Sequence, residues 1–210
     1  MNTLQSISPL NATSIHAEKE EKDEEKSTPI SEKLLKTRQL FLSGGVDSKL
    51  TKQTIMSLLA LEADDSEKDI TLFVNSPGGS VNDGFAIYDT IRFIKPRVRI
   101  VASGLCASIA TVILIAAAKE DRLAMPNTRL LIHQPLIPMQ VYGPASDLEI
   151  TATEIIKTRE KINELLAEEC NQPLERVTKD TQRDYWMDAE ASVEYGLVTR
   201  IITQRSELDD

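Results

Sequence analysis

The run "DITLFVNS" (69–76) constrains the fold of this chain more than any other stretch. Ile70, Leu72, Phe73 and Val74 put apolar side chains on both alternating faces, the pattern of a strand covered from both sides. Such a strand belongs inside a mainly parallel sheet, and parallel neighbours need crossover connections, usually helices. The flanking sequence supplies them. "QLFLS" (39–43) reads as a strand and "SKLTKQTIMSLLALEA" after it as a helix, with apolar residues at helical spacing. "PGGS" then breaks the 69–76 strand, and "DGFAIYDTIRFI" (83–94) is a helix stopped by Pro96. "RVRIVAS" (97–103) is a strand, the apolar run "GLCASIATVILI" (104–115) holds a helix, and "TRLLIH" (128–133) is a further strand. The longest predicted helix spans 146–169, with Ser146 as N-cap and Glu149 completing a capping box. Two short helices and a final strand, "LVTRIIT" (197–203), close the domain. The expectation is an α/β architecture with largely parallel strands.

Outside that pattern lie two ends of different composition. Residues 1–30 have no sustained period, and "EKEEKDEEK" within them is almost pure charge. They read as a mobile charged tail. The folded domain is expected over 31–203, with residues 204–210 as a short acidic tail. With 24 basic against 33 acidic residues the net charge is −9, and no basic cluster stands out, which argues against nucleic acid or an anionic membrane as partner. The apolar run at 104–115 is shorter than the roughly 18 residues a membrane span needs. Two cysteines, Cys106 and Cys170, have no zinc or disulfide spacing. With no signal-peptide pattern at the start, the expected location is the cytoplasm.

Ser108 is the polar oddity of the apolar run. It stands where a strand end turns into a helix, so free backbone N–H groups and the helix dipole favour negative charge beside it. A serine nucleophile needs such donors, because acyl transfer puts charge on the substrate oxygen. The plainer reading is a serine that caps its helix. A nucleophilic serine also needs a base. The chain has two histidines, His16 in the charged tail and His133 at a predicted strand end, which leaves His133; its plain reading is a half-buried ring bonded to backbone. A third group must hold the imidazole by its other nitrogen. Asp184, ahead of an aromatic pair that can wall off a buried carboxylate, and Asp180 compete for that place, and spacing does not separate them. The adjacent glycines of "NSPGGS" allow close backbone approach, as oxyanion donors, as a peptide rest, or simply as a tight turn.

Four separated motifs, "FVNSPGGSVNDGFAIYDTIRFIKP", "GLCASIAT", "LIHQPL" and "RDYWMDAEASVEYGLV", together resemble the proteolytic subunit of the Clp protease, the ClpP family, over about residues 31–202. The resemblance implies the crotonase-related fold of repeated ββα units with a long handle helix. It implies a serine endopeptidase with Ser108 as nucleophile, His133 as base and Asp184 as orienting acid; only the resemblance sets Asp184 above Asp180. The backbone N–H groups of Gly79 and Ile109 would form the oxyanion hole. A crotonase-like acyl-CoA enzyme on the same fold would not need the Ser–His–Asp set. The resemblance further implies two stacked seven-membered rings, built from this chain alone or with a second ClpP-like subunit. An AAA+ unfoldase of the ClpX or ClpA/ClpC type would feed unfolded proteins into the chamber. Phe73, Phe93 and Val101 would lie in or near the pockets for the ATPase loops, and 146–169 would be the handle at the ring–ring contact. No metal or cofactor is implied for this subunit, since ATP belongs to the partner.

The sequence departs from the family at three places. Ile109-Ala110 replaces a methionine-glycine pair, so the added methyl of Ala110 is expected to press on the oxyanion loop. "IPMQVYGP", with Pro138 and Pro144, replaces a glycine-rich stretch in the strand expected to pair with substrate. No axial-loop segment is recognisable before Ser31. These departures raise an alternative: a divergent ring subunit serving mainly assembly or ATPase docking in a mixed complex.

Overall fold

The structure is a computed structural model that describes residues 29–136 and 143–208. The charged tail up to residue 28, Pro138 with most of the departing segment, and the last two acidic residues lie outside the described residues. A short helix, α1 (Pro29–Lys36), leads into β1 (Gln39–Ser43), α2 (Ser48–Asp64), β2 (Ile70–Ser76), α3 (Val81–Phe93) and β3 (Val98–Ala107). These three strands pair in parallel, and the helices between them are the crossovers that parallel pairing demands. Ile70, Leu72 and Val74 of β2 are fully buried. Asp47 and Ser80 cap α2 and α3 by accepting from Leu50 N–H and Asp83 N–H. α3 ends at Phe93, ahead of Pro96, as its sequence predicts.

β3 is longer than its sequence signal. It does not stop at Ser103 but runs to Ala107, so the apolar stretch 104–115 is strand in its first part and helix only over α4 (Ile109–Leu114). The bend expected at "GLCA" is a kink inside the strand. Gly104 has φ +68°, and pairing with β2 jumps from Val74↔Ala102 to Ser76↔Cys106. The Asn75 carboxamide fills the gap by accepting from Leu105 N–H at 3.2 Å. The kink lets one strand serve two neighbours. Ile100–Ala102 pair in parallel with β4 (Arg122–Ala124), and Leu105–Ala107 with β5 (Arg129–Ile132).

The remaining elements are α5 (Ala145–Glu169), α6 (Leu174–Asp180), β6 (Tyr185–Met187), α7 (Ala189–Tyr195) and β7 (Arg200–Ile201). β6 adds to β5 antiparallel and β7 to β4 in parallel. The final strand covers only two residues of the expected 197–203, because Gly196 closes α7 in the left-handed conformation and Leu197 and Val198 turn into the core. β4 and β6, three residues each, are too short to carry a readable alternation. The capping box predicted for the long helix does not form. Pro144 starts α5 one residue earlier, its carbonyl accepts from Asp147 N–H, and Ser146 falls inside the first turn with no capping bond. Residues 205–208 form a 3-10 turn that seats Leu208 against Val101, Leu123 and Ile202, so the expected acidic tail is packed down as far as Leu208. These elements form an α/β domain with a mixed, mainly parallel sheet and helices outside it.

All six residues of α4 are buried, as a helix apolar on every side requires. The core also encloses a charge: Arg122 is fully buried and spans α4 and α5. It donates to the carbonyls of Ile115, Ala117 and Glu169 and pairs with the Glu169 carboxylate. Each hydrogen-bonding edge of the guanidinium is thereby used, which makes its burial tolerable.

Candidate active site

Three strand ends meet at one place because of ladder register. In the parallel β3–β5 ladder Ala107 pairs with Leu131, and in the antiparallel β5–β6 ladder Ile132 pairs with Tyr185. One step beyond, His133 stands opposite Asp184, with Ser108 at the end of β3. A one-residue slip in either ladder would turn one of the three side chains to the other face. The carboxyl ends of parallel strands are also where open α/β sheets commonly place ligands.

Ser108 occupies the N-cap position of α4 but does not cap it. Its φ of +58° and ψ of −128° are strained for a residue with a Cβ, and its hydroxyl makes no bond to the helix. The backbone is pinned from both sides: Ser108 N–H donates to Leu131 O at 2.8 Å, and Ser108 O accepts from Thr111 N–H at 3.0 Å and Thr111 Oγ1 at 2.7 Å. The hydroxyl is thus left for His133, whose Nε2 lies 2.8 Å from Ser108 Oγ. His133 Nδ1 lies 3.2 Å from Asp184 Oδ1. The structure therefore brings Ser108, His133 and Asp184 into one line, with a hydrogen bond from the ring to Ser108 and a 3.2 Å approach to Asp184, in place of the helix-cap and backbone-bonded readings.

Asp180 is used elsewhere. Its carboxylate accepts from Tyr195 Oη at 3.2 Å and lies 3.6 Å from Arg176 Nε. Burial, reinforced by the Asp180 charge, pushes the Tyr195 phenol upward from its ordinary value. The expectation of a walled-off Asp184 is overturned: 63% of its side chain is exposed. Adjacent strand residues point to opposite faces, and neither aromatic covers it. Tyr185 packs on Tyr195 with centroids 5.7 Å apart, and Trp186 lies against the Arg129 guanidinium at 5.4 Å.

The glycine pair is more than a turn. A Cβ on Gly78 would lie 2.7 Å from Ser108 Cβ and 3.2 Å from Ile109 N, so Gly78 rides directly on the Ser108–Ile109 peptide. Gly79 lies flush against Val46 in a lone parallel bridge, where a Cβ would come within 2.2 Å of Val46 O. The buried Ser76 hydroxyl accepts from Gly78 N–H at 3.0 Å. Among the described residues, neither Gly79 N–H nor Ile109 N–H is consumed by a turn, loop or cap bond. The Ile109 side chain fits because α3 carries Gly84, where a Cβ would stand 2.1 Å from Ile109 Cγ1. Beside Ser108 lies a pocket lined by Val81, Val112, Ile132, Ile162 and Leu166. The glycine pair was legible as a close approach, but the contact of Gly78 with Ser108, the Ser76 bond and the pocket walls were not, since their partners are distant in the chain.

Of the three apolar residues expected near ATPase pockets, Phe93 is 82% exposed and Phe73 is half-buried, stacked on Phe41 with centroids 5.1 Å apart. Val101 is fully buried in the small cluster beneath Phe73. No helix among the described residues is long and apolar enough to cross a membrane.

The fold and the line of Ser, His and Asp define a class: an α/β domain with a hydrolase-type site at the carboxyl edge of its sheet. The comparisons narrow that class. The profile of the Clp protease family matches residues 21–205. The chain is 43% identical over 195 residues to the ATP-dependent Clp protease proteolytic subunit 3 of Rhizobium etli, covering 91% of this chain and 99% of that relative. The chain belongs to the Clp protease family and is a ClpP-type protease subunit.

Proposed function

We propose that this chain is the serine endopeptidase subunit of a compartmentalised, ATP-dependent protease of the cytoplasm. The observation that carries the reading is the 2.8 Å approach of His133 Nε2 to Ser108 Oγ, with Asp184 at the other ring nitrogen. Ser108 Oγ attacks the scissile carbonyl carbon while its proton passes to His133 Nε2. Asp184 holds the imidazole and balances the imidazolium. The new oxyanion accepts from Gly79 N–H and Ile109 N–H, donors with no competing bond. The C–N bond then breaks as His133 returns the proton to the leaving amine, and water releases the acyl group from Ser108 by the reverse sequence. The apolar pocket receives the side chain on the carbonyl side of the cleaved bond.

The relative's name, which includes "ATP-dependent" and "proteolytic subunit", supports a partner ATPase. In this reading an AAA+ unfoldase docks where Phe41, Phe73 and Phe93 are exposed or half-exposed. Two seven-membered rings meet through α5, whose first half exposes Leu148, Ile150 and Ile156. The subunit itself needs no metal or cofactor.

A second reading, a ring subunit serving mainly assembly in a mixed complex, is favoured by the exposed Asp184 and by the Ile109-Ala110 pair. Labelling with a fluorophosphonate and mapping the adduct, with Ser108→Ala as control, separates the two. An adduct on Ser108 in the chain alone supports the enzyme. Labelling only after a second ClpP-like subunit is added supports the mixed complex.

A further inference from the structure

Asp184 is the weakly held member of the line. The His133 ring is the only partner of its carboxylate among the described residues, and nearly two thirds of its side chain faces solvent. Packing therefore does not fix it, and its place depends on the backbone of residues 181–184. The β5–β6 ladder ends at Ile132↔Tyr185, one residue short of Asp184, and does not reach residues 181–183. Beyond His133↔Asp184, regular register would set Gln134 opposite Arg183. Instead Gln134 N–H donates to Thr181 O at 2.7 Å, and Gln134 Nε2 donates to Gln182 O at 2.8 Å. Both acceptors are carbonyls, so the amide nitrogen must be the group that faces Gln182. One residue, adjacent to the imidazole, thus straps two successive carbonyls of the segment that carries the acid.

We propose that Gln134 is a positioning residue of this site: its backbone and side-chain amides, bonded to Thr181 O and Gln182 O, hold Asp184 against His133. Gln134 touches no reacting atom and does not line the apolar pocket. Its effect runs through Asp184, so the inference rests on the reading of Asp184 as orienting acid. The side-chain bond is the part that mutation can remove. Losing one hydrogen bond of ordinary strength corresponds to roughly a fivefold to tenfold loss in the rate it supports.

The test is a double-mutant cycle on the full chain with Gln134→Met, Asp184→Asn and both together. Gln134→Met keeps the length of the side chain and removes the donor; Gln134→Ala is the second variant if it unfolds. Fluorophosphonate labelling of Ser108 is expected to slow about fivefold to tenfold in Gln134→Met. It should slow on the order of 10²–10⁴-fold in Asp184→Asn, and no further in the double variant. On a fluorogenic peptide the Gln134→Met loss should fall on kcat and leave KM unchanged. An unchanged rate in Gln134→Met, or losses that multiply in the double variant, would overturn the proposal. Asp184→Asn labelled as fast as the unmutated chain would sink the triad reading itself, and with it the role of Gln134. If the chain alone resists labelling, the far-downfield proton signal of a carboxylate-bonded imidazole N–H decides. His16→Asn secures its assignment, since the chain has only two histidines. Presence in the unmutated chain, loss in Asp184→Asn and weakening in Gln134→Met support the proposal; persistence in Gln134→Met, or absence from the unmutated chain, overturns it.

Discussion

Ser108 stands at the head of a helix whose six residues are all buried, whereas Asp184, on the far side of the His133 ring, leaves 63% of its side chain in solvent. His133, at 14%, lies between the two conditions. Ser108 is held by the core: β3 and β5 pin its backbone, Gly78 packs on its Cβ, and Ile109 beside it interlocks with Gly84. Asp184 stands at the end of a strand of three residues, and Gln134 bonds to the carbonyls of Thr181 and Gln182 just before it. A strained φ can be maintained only where surroundings over-determine it, and Ser108 sits at that buried end. The exposed end loses little packing energy if Asp184 moves.

Stability measurements test this contrast. The largest effect is expected from Arg122→Ala, which strips three carbonyls of their donor and leaves the Glu169 carboxylate with Arg92 alone among the described residues. Urea unfolding should show a loss of about 3–5 kcal/mol. A loss under about 1 kcal/mol would mean that the buried end is not held as described. Gly84→Ala comes next. It drives a methyl into Ile109 and should cost about 1–3 kcal/mol, and Ile109→Ala in the same protein should recover part of that cost. Simple additivity of the two would show that they do not interlock. Asp184→Asn should leave stability within about 0.5 kcal/mol, because an exposed side chain buries little, even though labelling of Ser108 collapses. A marked fall in thermal midpoint would instead make Asp184 a structural residue.

The smallest effect is a predicted silence. Burial pushes the Cys106 and Cys170 thiols from 9.0 to about 12, and neither should be alkylated by iodoacetamide at pH 8 in the folded protein. Raised folded values stabilise nothing extra below pH 9, where both states keep the proton. From pH 9 to about 12 the unfolded chain releases these protons and the folded one does not, so stability falls with rising pH over that window. Rapid native alkylation of either thiol at pH 8 would contradict its burial.

Much of the architecture was readable from residues 39–136, where strands and helices are long enough for their periods to register. The apolar run of β2 predicts a strand covered on both faces; the Ile70–Leu72–Val74 face is fully buried, whereas on the other face Thr71 and Phe73 are half-buried and Asn75 is exposed. The kink at Gly104 was not readable, because a strand that changes partners midway carries no local mark of the change. The cap of the long helix was misread because Ser146 and Glu149 fit the capping pattern while Pro144, two residues earlier, is what starts the helix. Asp184 and Asp180 were inseparable by spacing, and a 3.2 Å approach to His133 against a bond to Tyr195 separates them.

Local chemistry is therefore legible in the sequence: parallel strands with a buried face, an apolar helix opening on Ser108, and a shortage of histidines that leaves His133 as the candidate partner. The four motifs added the family. Tertiary structure alone decided which carboxylate meets the imidazole, which glycine lies on the nucleophile, and how far each group is exposed. The physical reason is that these are matters of register between strands dozens of residues apart. A ladder in register brings three strand ends together at hydrogen-bonding distance, and no short window of sequence contains both sides of a ladder.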